Sequence, residues 1–146
     1  MTKFLFCLIA MITVQASAQN SDYSEIKQTI EDFFEGFHAQ DSLKILKTVH
    51  ADIKMQSIDS RRGSEVNLET SKFEDFLNSI LSIPETVSFN EKILDYEIKV
   101  DGEMAHAWTP YEFYLNAKLS HTGVNSFQLF KDVDDWKIIY VVDTRK

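Results

Sequence analysis

The chain has 146 residues, 15 basic and 23 acidic, and a formal net charge of −8 at pH 7. That length suits one domain. The acidic balance argues against nucleic acid or anionic membrane as a partner, because both need a basic face. The acids are scattered and not blocked, as on a solvated surface.

The N-terminus reads as a secretory signal peptide: Lys3 supplies a positive start, Phe4 to Val14 is apolar, and Ala16-Ser17-Ala18 is a small-residue cleavage site. The apolar run is shorter than the about 20 residues that span a bilayer, and it lacks the amphipathic period of a buried helix. The expected organisation is a leader over 1–18 and one domain over 19–146, exported to the periplasm or beyond, with no membrane span after cleavage. Cys7 is the only cysteine and falls in the leader. The domain must therefore fold without disulfides, by burying a core, and its length allows this.

Helices come first. Ile26, Ile30, Phe33, Phe34 and Phe37 recur at helical spacing within Asp22 to Gln40, with Asp22 and Glu25 placed as a capping box. Asp41 or Ser42 can cap a second, short helix carrying Leu43, Leu46 and Val49, which His50-Ala51-Asp52 ends. An extended stretch through Ile53, Met55 and Ile58, a turn at Arg61-Arg62-Gly63 and a short strand near Val66 and Leu68 follow. Ser71 and Glu74 form another box, ahead of a third helix with Phe73, Phe76, Leu77, Ile80 and Leu81 on one face and Pro84 past its end.

From Val87 the period changes to two. Leu94, Tyr96, Ile98 and Val100 alternate with charged residues, predicting an antiparallel strand with one buried face. Asp101-Gly102 marks a tight hairpin. The return strand, Glu103 to Leu115, contains Pro110, which marks an edge or bulge because it cannot donate to a ladder. Asn116 to Ser120 turns the chain into a last hairpin, His121 to Lys146, completing a four-strand meander. Early helices and a late curved sheet predict an α+β domain with helices on one sheet face.

This order of elements resembles the nuclear transport factor 2-like superfamily. Gly123-Val124-Asn125-Ser126-Phe127-Gln128-Leu129 and Asp134-Asp135-Trp136-Lys137-Ile138-Ile139 look like the end of its SnoaL-like and lumazine-binding branches. The resemblance covers roughly Tyr23 to Arg145 and implies a cystatin-like cone, a strongly bent antiparallel sheet wrapped around a long N-terminal helix. Its implications for function are broad, because such scaffolds host isomerases, dehydratases, cyclases, binding proteins and assembly modules.

Candidate site residues cluster in the late strands. His121, Gly123 and Asn125 share a strand face with Phe127 and Leu129. If the apolar pair faces the helices, His121 and Asn125 face the cone mouth. Gly123 then allows close approach of a ligand or marks a bulge. In Trp108-Thr109-Pro110-Tyr111-Glu112-Phe113-Tyr114, Pro110 leaves two phases open: either Trp108, Glu112 and Tyr114 point inward, or Tyr111 and Phe113 do. An inward Glu112 would be desolvated and its pKa raised, making it the first acid–base candidate, ahead of His121 and Asp143. Asp143 and Arg145 share a face, either as a surface ion pair or as a rim pair whose guanidinium takes a carboxylate or phosphate.

His50 reads as a helix C-terminal histidine. The four histidines have no paired spacing, so no metal and no cofactor is expected. In the last strand Trp136, Ile138, Tyr140 and Val142 form one apolar face and Ile139 and Val141 the other. Helices can cover only one, which predicts a homodimer through the outer sheet face. Three function classes remain: a protein whose pocket binds a small aromatic or carboxylate-bearing molecule, a cofactor-free lyase or isomerase, and a dimerisation module with a filled cone.

Overall fold

The computed structural model describes residues 2–61 and 66–146, with side chains described from residue 21 onward. In chain order the described elements are α1 (Thr2–Ala39), α2 (Ser42–Thr48), β1 (Val49–Asp59), β2 (Asn67–Ser71), α3 (Phe73–Leu81), β3 (Phe89–Ile93), β4 (Glu97–Asp101), β5 (Met104–Leu115), β6 (Lys118–Asp132) and β7 (Asp135–Arg145). The expected turn at Arg61-Arg62-Gly63 lies, Arg61 apart, outside the described residues. Of the expected leader only helical backbone is described.

α1 buries the stripe its spacing predicts: Ile26, Ile30, Phe33 and Phe34 are all core residues. Its start differs from the expected capping box. The helix runs unbroken through Asp22, leaving no orphan N–H there to cap, and the Asp22 carboxylate accepts from Lys131 Nζ at 2.8 Å. Gln40, at φ 54°, ends the helix, and its side-chain amide donates to the carbonyls of Ile80 (2.6 Å) and Ile83 (2.9 Å), pinning the end of α3. Asp41 caps α2 by accepting from Lys44 N at 3.0 Å. α2 ends at Thr48, so His50 lies in β1 and is not a helix C-terminal histidine. Its Nδ1 accepts from Asp52 N, and its ring meets Phe130 edge-on. Ser71 closes β2, and α3 is instead preceded by Lys72 with no side-chain cap; Glu74 and Asp75 complement the dipole of its first turn.

The strands form one sheet in the order β2-β1-β7-β6-β5-β3, with β4 also paired to β5. β1 and β7 run parallel and every other pair is antiparallel. The strand expected through Leu94 and Tyr96 is two strands: β4 pairs with the first half of β5 and β3 with the second. Leu94 is 51% exposed at the break, instead of buried. Pro110 explains the division. Leu94 N donates to Pro110 O at 2.8 Å, so the edge where the proline lacks an N–H faces the gap between β3 and β4. On its other edge β5 passes Pro110 in register, opposite Val124.

Gly102, at φ 58°, and Glu103 make the β4–β5 turn, one residue on from the expected pair. Asn116 and Ala117, both at positive φ, make the β5–β6 turn, and the chain is extended again by Lys118.

β7 corrects the two-faced reading of the last strand. Leu129 pairs with Ile138 and Gln128 with Tyr140, so Ile139 is an extra residue, a β-bulge that switches the phase of everything after it. Trp136 and Ile138 are buried before the bulge and Val141 after it. Val141 therefore belongs to the core, while Tyr140 and Val142 turn to the outer face. Asp143 and Arg145 inherit the inward phase. The core between α1, α3 and the sheet is built on rings: Phe76 stacks on Phe33 and on Phe37 at 6.1 Å, and Phe127 meets Phe33 and Phe34 edge-on.

Candidate functional site

The helices do not fill the sheet's concave face. A cavity of about 280 Å³ remains between α1, α3 and strands β1, β3, β5, β6 and β7. Phe33, Phe34, Phe37, Phe76 and Phe127 wall one side, and Glu91, Tyr111, His121, Asn125, Asp143 and Arg145 form the other. An apolar wall facing a few converging polar groups is the usual make-up of a small-molecule site, and the volume sits at the small end of such sites. The cone is thus not filled by its own side chains.

The two phases left open on β5 resolve toward Tyr111 and Phe113, which line the cavity. Trp108, Glu112 and Tyr114 face the other way. Trp108 is 42% exposed beside Glu97, Lys99 and His106 on the outer surface, and Glu112 accepts from the Tyr114 hydroxyl at 2.8 Å. The expectation of an inward, desolvated Glu112 is corrected by this phase. His121, Asn125, Asp143 and Arg145 all line the cavity, brought together by the β6–β7 pairing and the bulge at Ile139.

The polar side is already hydrogen-bonded within itself. Arg145 Nε donates to Asp143 Oδ2 at 2.9 Å, an ion pair at the edge of the cavity. The Tyr111 hydroxyl donates to the carbonyl of Thr144 at 2.9 Å, and burial, with Asp143 nearby, pushes its pKa up. His121 stacks on Phe113 with ring centres 4.9 Å apart. Burial lowers its pKa, and Arg61 and Arg145 lower it further, so the ring is neutral at pH 7. Gly123 serves backbone packing: a Cβ there would stand 1.8 Å from the Thr144 carbonyl oxygen and 2.8 Å from the Tyr111 hydroxyl. The close approach it permits is by β7.

Glu91 is the member the sequence reading missed. It sits on β3 with only partial exposure, and its Oε1 accepts from Asn125 Nδ2 at 2.7 Å. Its own backbone N–H donates to His38 Nε2 at 2.9 Å, which ties α1 to this strand. Desolvation pushes the carboxyl up to about 7; the Asn125 bond opposes this, Asp143 adds to it and Arg145 subtracts. One signal was available. Phe89, Glu91 and Ile93 share a strand face, which places a carboxylate in an apolar phase. Ser57 Oγ also lines the cavity, buried and without a hydrogen-bond partner among the described residues.

A wider, more open groove of about 930 Å³ lies between α1, α2 and the β6–β7 turn. Its charged side chains lie near solvent, some of them paired, as Lys44 with Asp32 at 3.6 Å and Lys137 with Asp135 at 3.7 Å, whereas the smaller cavity gathers the buried polar groups. Among the described residues no His, Cys, Asp and Glu side chains group as a metal ion would require, and no helix is long and apolar enough to cross a membrane.

The sequence matches no family model and no curated protein. Solved structures do match. A nuclear transport factor 2-like protein of unknown function from Pseudomonas putida superposes with a TM-score of 0.68 at 14% identity, covering 86% of this chain and 87% of that one. A protein of the same type from Streptomyces avermitilis, provisionally described as a dehydratase, gives 0.66 at 12% identity over 88% and 98%. A protein from Shewanella frigidimarina, provisionally described as a ketosteroid isomerase, gives 0.60 at 13% identity over 82% and 94%. At these identities the likeness speaks for architecture alone, and it agrees with the bent sheet, the long first helix and the open cone: the chain has the nuclear transport factor 2-like fold.

Proposed function

We propose that this chain is an exported protein that binds a small molecule in the cavity between α1, α3 and the sheet. One observation carries the reading: an aromatic-walled space of about 280 Å³ is faced by a partly buried carboxyl, Glu91, and by the buried hydroxyl of Ser57, which has no partner among the described residues. Buried polar groups without partners are costly, and a ligand that pairs with them offsets that cost. Export rests on the leader pattern of residues 1–18, and periplasm or exterior is the destination it supports. A twofold dimer through the outer sheet face is part of the proposal. Trp108, Phe130, Tyr140 and Val142 supply apolar surface there, and sedimentation at micromolar concentration tests it, a monomer refuting it.

The binding reading is tested by a thermal-shift screen of the purified protein against small metabolites. A ligand at a hundred times its dissociation constant adds about 2.7 kcal/mol of stability. Hits that His121→Ala and Glu91→Gln leave untouched would place the ligand elsewhere. A second reading is a cofactor-free lyase or isomerase, favoured by the Glu91 carboxyl near 7, a value suited to moving protons at neutral pH. The provisional names of two structural neighbours point the same way. Here Glu91 would be the proton-transfer group in place of Glu112. Turnover of a hydroxy-ketone panel that Glu91→Gln abolishes without weakening binding would favour this reading over simple binding.

A further inference from the structure

We infer that the ligand of this cavity is a small organic cation, an ammonium group on an apolar body, received by the Glu91 carboxylate among the phenylalanine rings. The inference rests on the small-molecule reading above and reverses the charge that Arg145 suggests in the sequence. Charge matching selects the cation. Arg145 Nε is bonded to Asp143 at 2.9 Å, and Arg61, outside the cavity, is held by both oxygens of Asp59 at 3.0 and 2.6 Å. Each guanidinium already has a carboxylate partner that matches its charge within the protein. Glu91 has only the neutral Asn125 amide, and among the described residues no lysine or arginine pairs with it. Of the described charged side chains lining the cavity, Glu91 and Asp143 are negative and Arg145 positive, which leaves one carboxylate over.

The other groups around Glu91 do not correct this surplus. From α1, His38 presents its Nε2 lone pair to the Glu91 N–H; from β5 comes the Tyr111 hydroxyl; from β6 come Asn125 and His121; and from β7 come Asp143 and Arg145. Burial holds both histidines below the usual imidazole range, so the neutral form of each predominates above pH 6.5. An anionic ligand would meet the surplus carboxylate, and a neutral one would leave Glu91 without a counter-charge. A cation is also the charge that aromatic faces attract, and Phe33, Phe37, Phe76, Phe113 and Phe127 line the same space. Ser57 Oγ offers one further acceptor for an ammonium hydrogen. Because Glu91 titrates near 7, a cation that needs its ionised form binds about tenfold tighter at pH 8 than at pH 6.

The test is calorimetric titration of the protein with benzylammonium, benzyl alcohol and benzoate, near-isosteric probes of three charges. The Asn125 side-chain amide resonance is followed in parallel as a reporter beside Glu91. At pH 8 benzylammonium should bind at least about tenfold tighter than benzyl alcohol, and benzoate most weakly; at pH 6 the cation's advantage should shrink by about tenfold. Glu91→Gln should erase the preference, while cooperative urea unfolding of the variant shows that the fold is intact. Benzoate or benzyl alcohol matching the cation at pH 8, or a preference that survives Glu91→Gln, overturns the cation class while leaving a ligand-binding cavity. Failure of all three to bind or to move the Asn125 resonance overturns both readings.

Discussion

Glu91→Gln should stabilise this protein, and only above about pH 5. In the unfolded chain Glu91 ionises near its ordinary value of 4.5, while in the fold it does so at about 7. A carboxyl whose folded pKa is raised contributes stability that is complete below the unfolded pKa and lost as pH climbs through the folded one. At about 1.4 kcal/mol per tenfold change in an ionisation equilibrium, the loss between pH 4.5 and 7 amounts to about 3 kcal/mol. Glutamine has nearly the same shape and keeps the Oε1 acceptor for the Asn125 N–H, now at 2.7 Å, but it cannot ionise. Urea unfolding at 25 °C, one curve per pH from 4 to 8, measures the effect. With a slope of about 2 kcal/mol per molar, the variant's midpoint should match the wild type's near pH 4 and exceed it by about 1.5 M at pH 8. His38 acts with the opposite sign. Its pKa is lowered by burial, so its contribution is present above pH 6.5 and lost as pH falls; being common to both proteins, it drops out of the difference. A difference between the two proteins that stays constant with pH, or a variant less stable at pH 8, would refute the assignment of Glu91 as a desolvated carboxyl.

Asp143→Asn removes a negative neighbour that holds Glu91 up, so the Glu91 midpoint, followed by NMR titration of its carboxyl carbon, should fall below 7; an unchanged or higher midpoint counts against the coupling. Gly123→Ala puts a methyl group 1.8 Å from a backbone oxygen, and unfolding curves should show a loss of about 3 kcal/mol or more. Val133, β-branched and at φ 59° as the first residue of the β6–β7 turn, sits where glycine is favoured. Val133→Gly should raise stability by about 1 kcal/mol in the same assay, and any loss would contradict the strain reading. Phe127→Ala, at a fully buried ring, should cost about 3–5 kcal/mol.

The features legible in the sequence were those set by neighbours a few residues away. The helical stripe from Ile26 to Phe37, the Asp41 cap and the hairpin after Asp101 depend on local spacing and turn chemistry, so periodicity finds them. Phe127 and Leu129 were also legible as core, because the alternation around them is uninterrupted. What escaped depends on partners far along the chain. The break at Leu94 exists because Pro110, on another strand, lacks an N–H at that edge. The phase of Glu112 could not be read because a proline inside a strand fits either face. Glu91 stands in an apolar alternation, yet its importance comes from Asn125 and Asp143, which reach it only through the sheet. The capping boxes at Asp22 and Ser71 failed for a simpler reason: the pattern permits a cap, and the continuous helix and the adjoining strand each use the residue otherwise.

The extra residue at Ile139 makes the polar content of the cavity a matter of counting. Removing that one position would leave the composition of the last strand almost unchanged and turn its end inside out, sending Asp143 and Arg145 to the outer surface and Tyr140, Val142 and Thr144 into the cone. A single-codon deletion could therefore turn the charged end of the chamber largely apolar with no substitution at any position that lines it, and a single-codon insertion could restore it. Relatives on this scaffold can thus differ in what they hold through changes of length that residue-by-residue comparison of their cavities would not reveal.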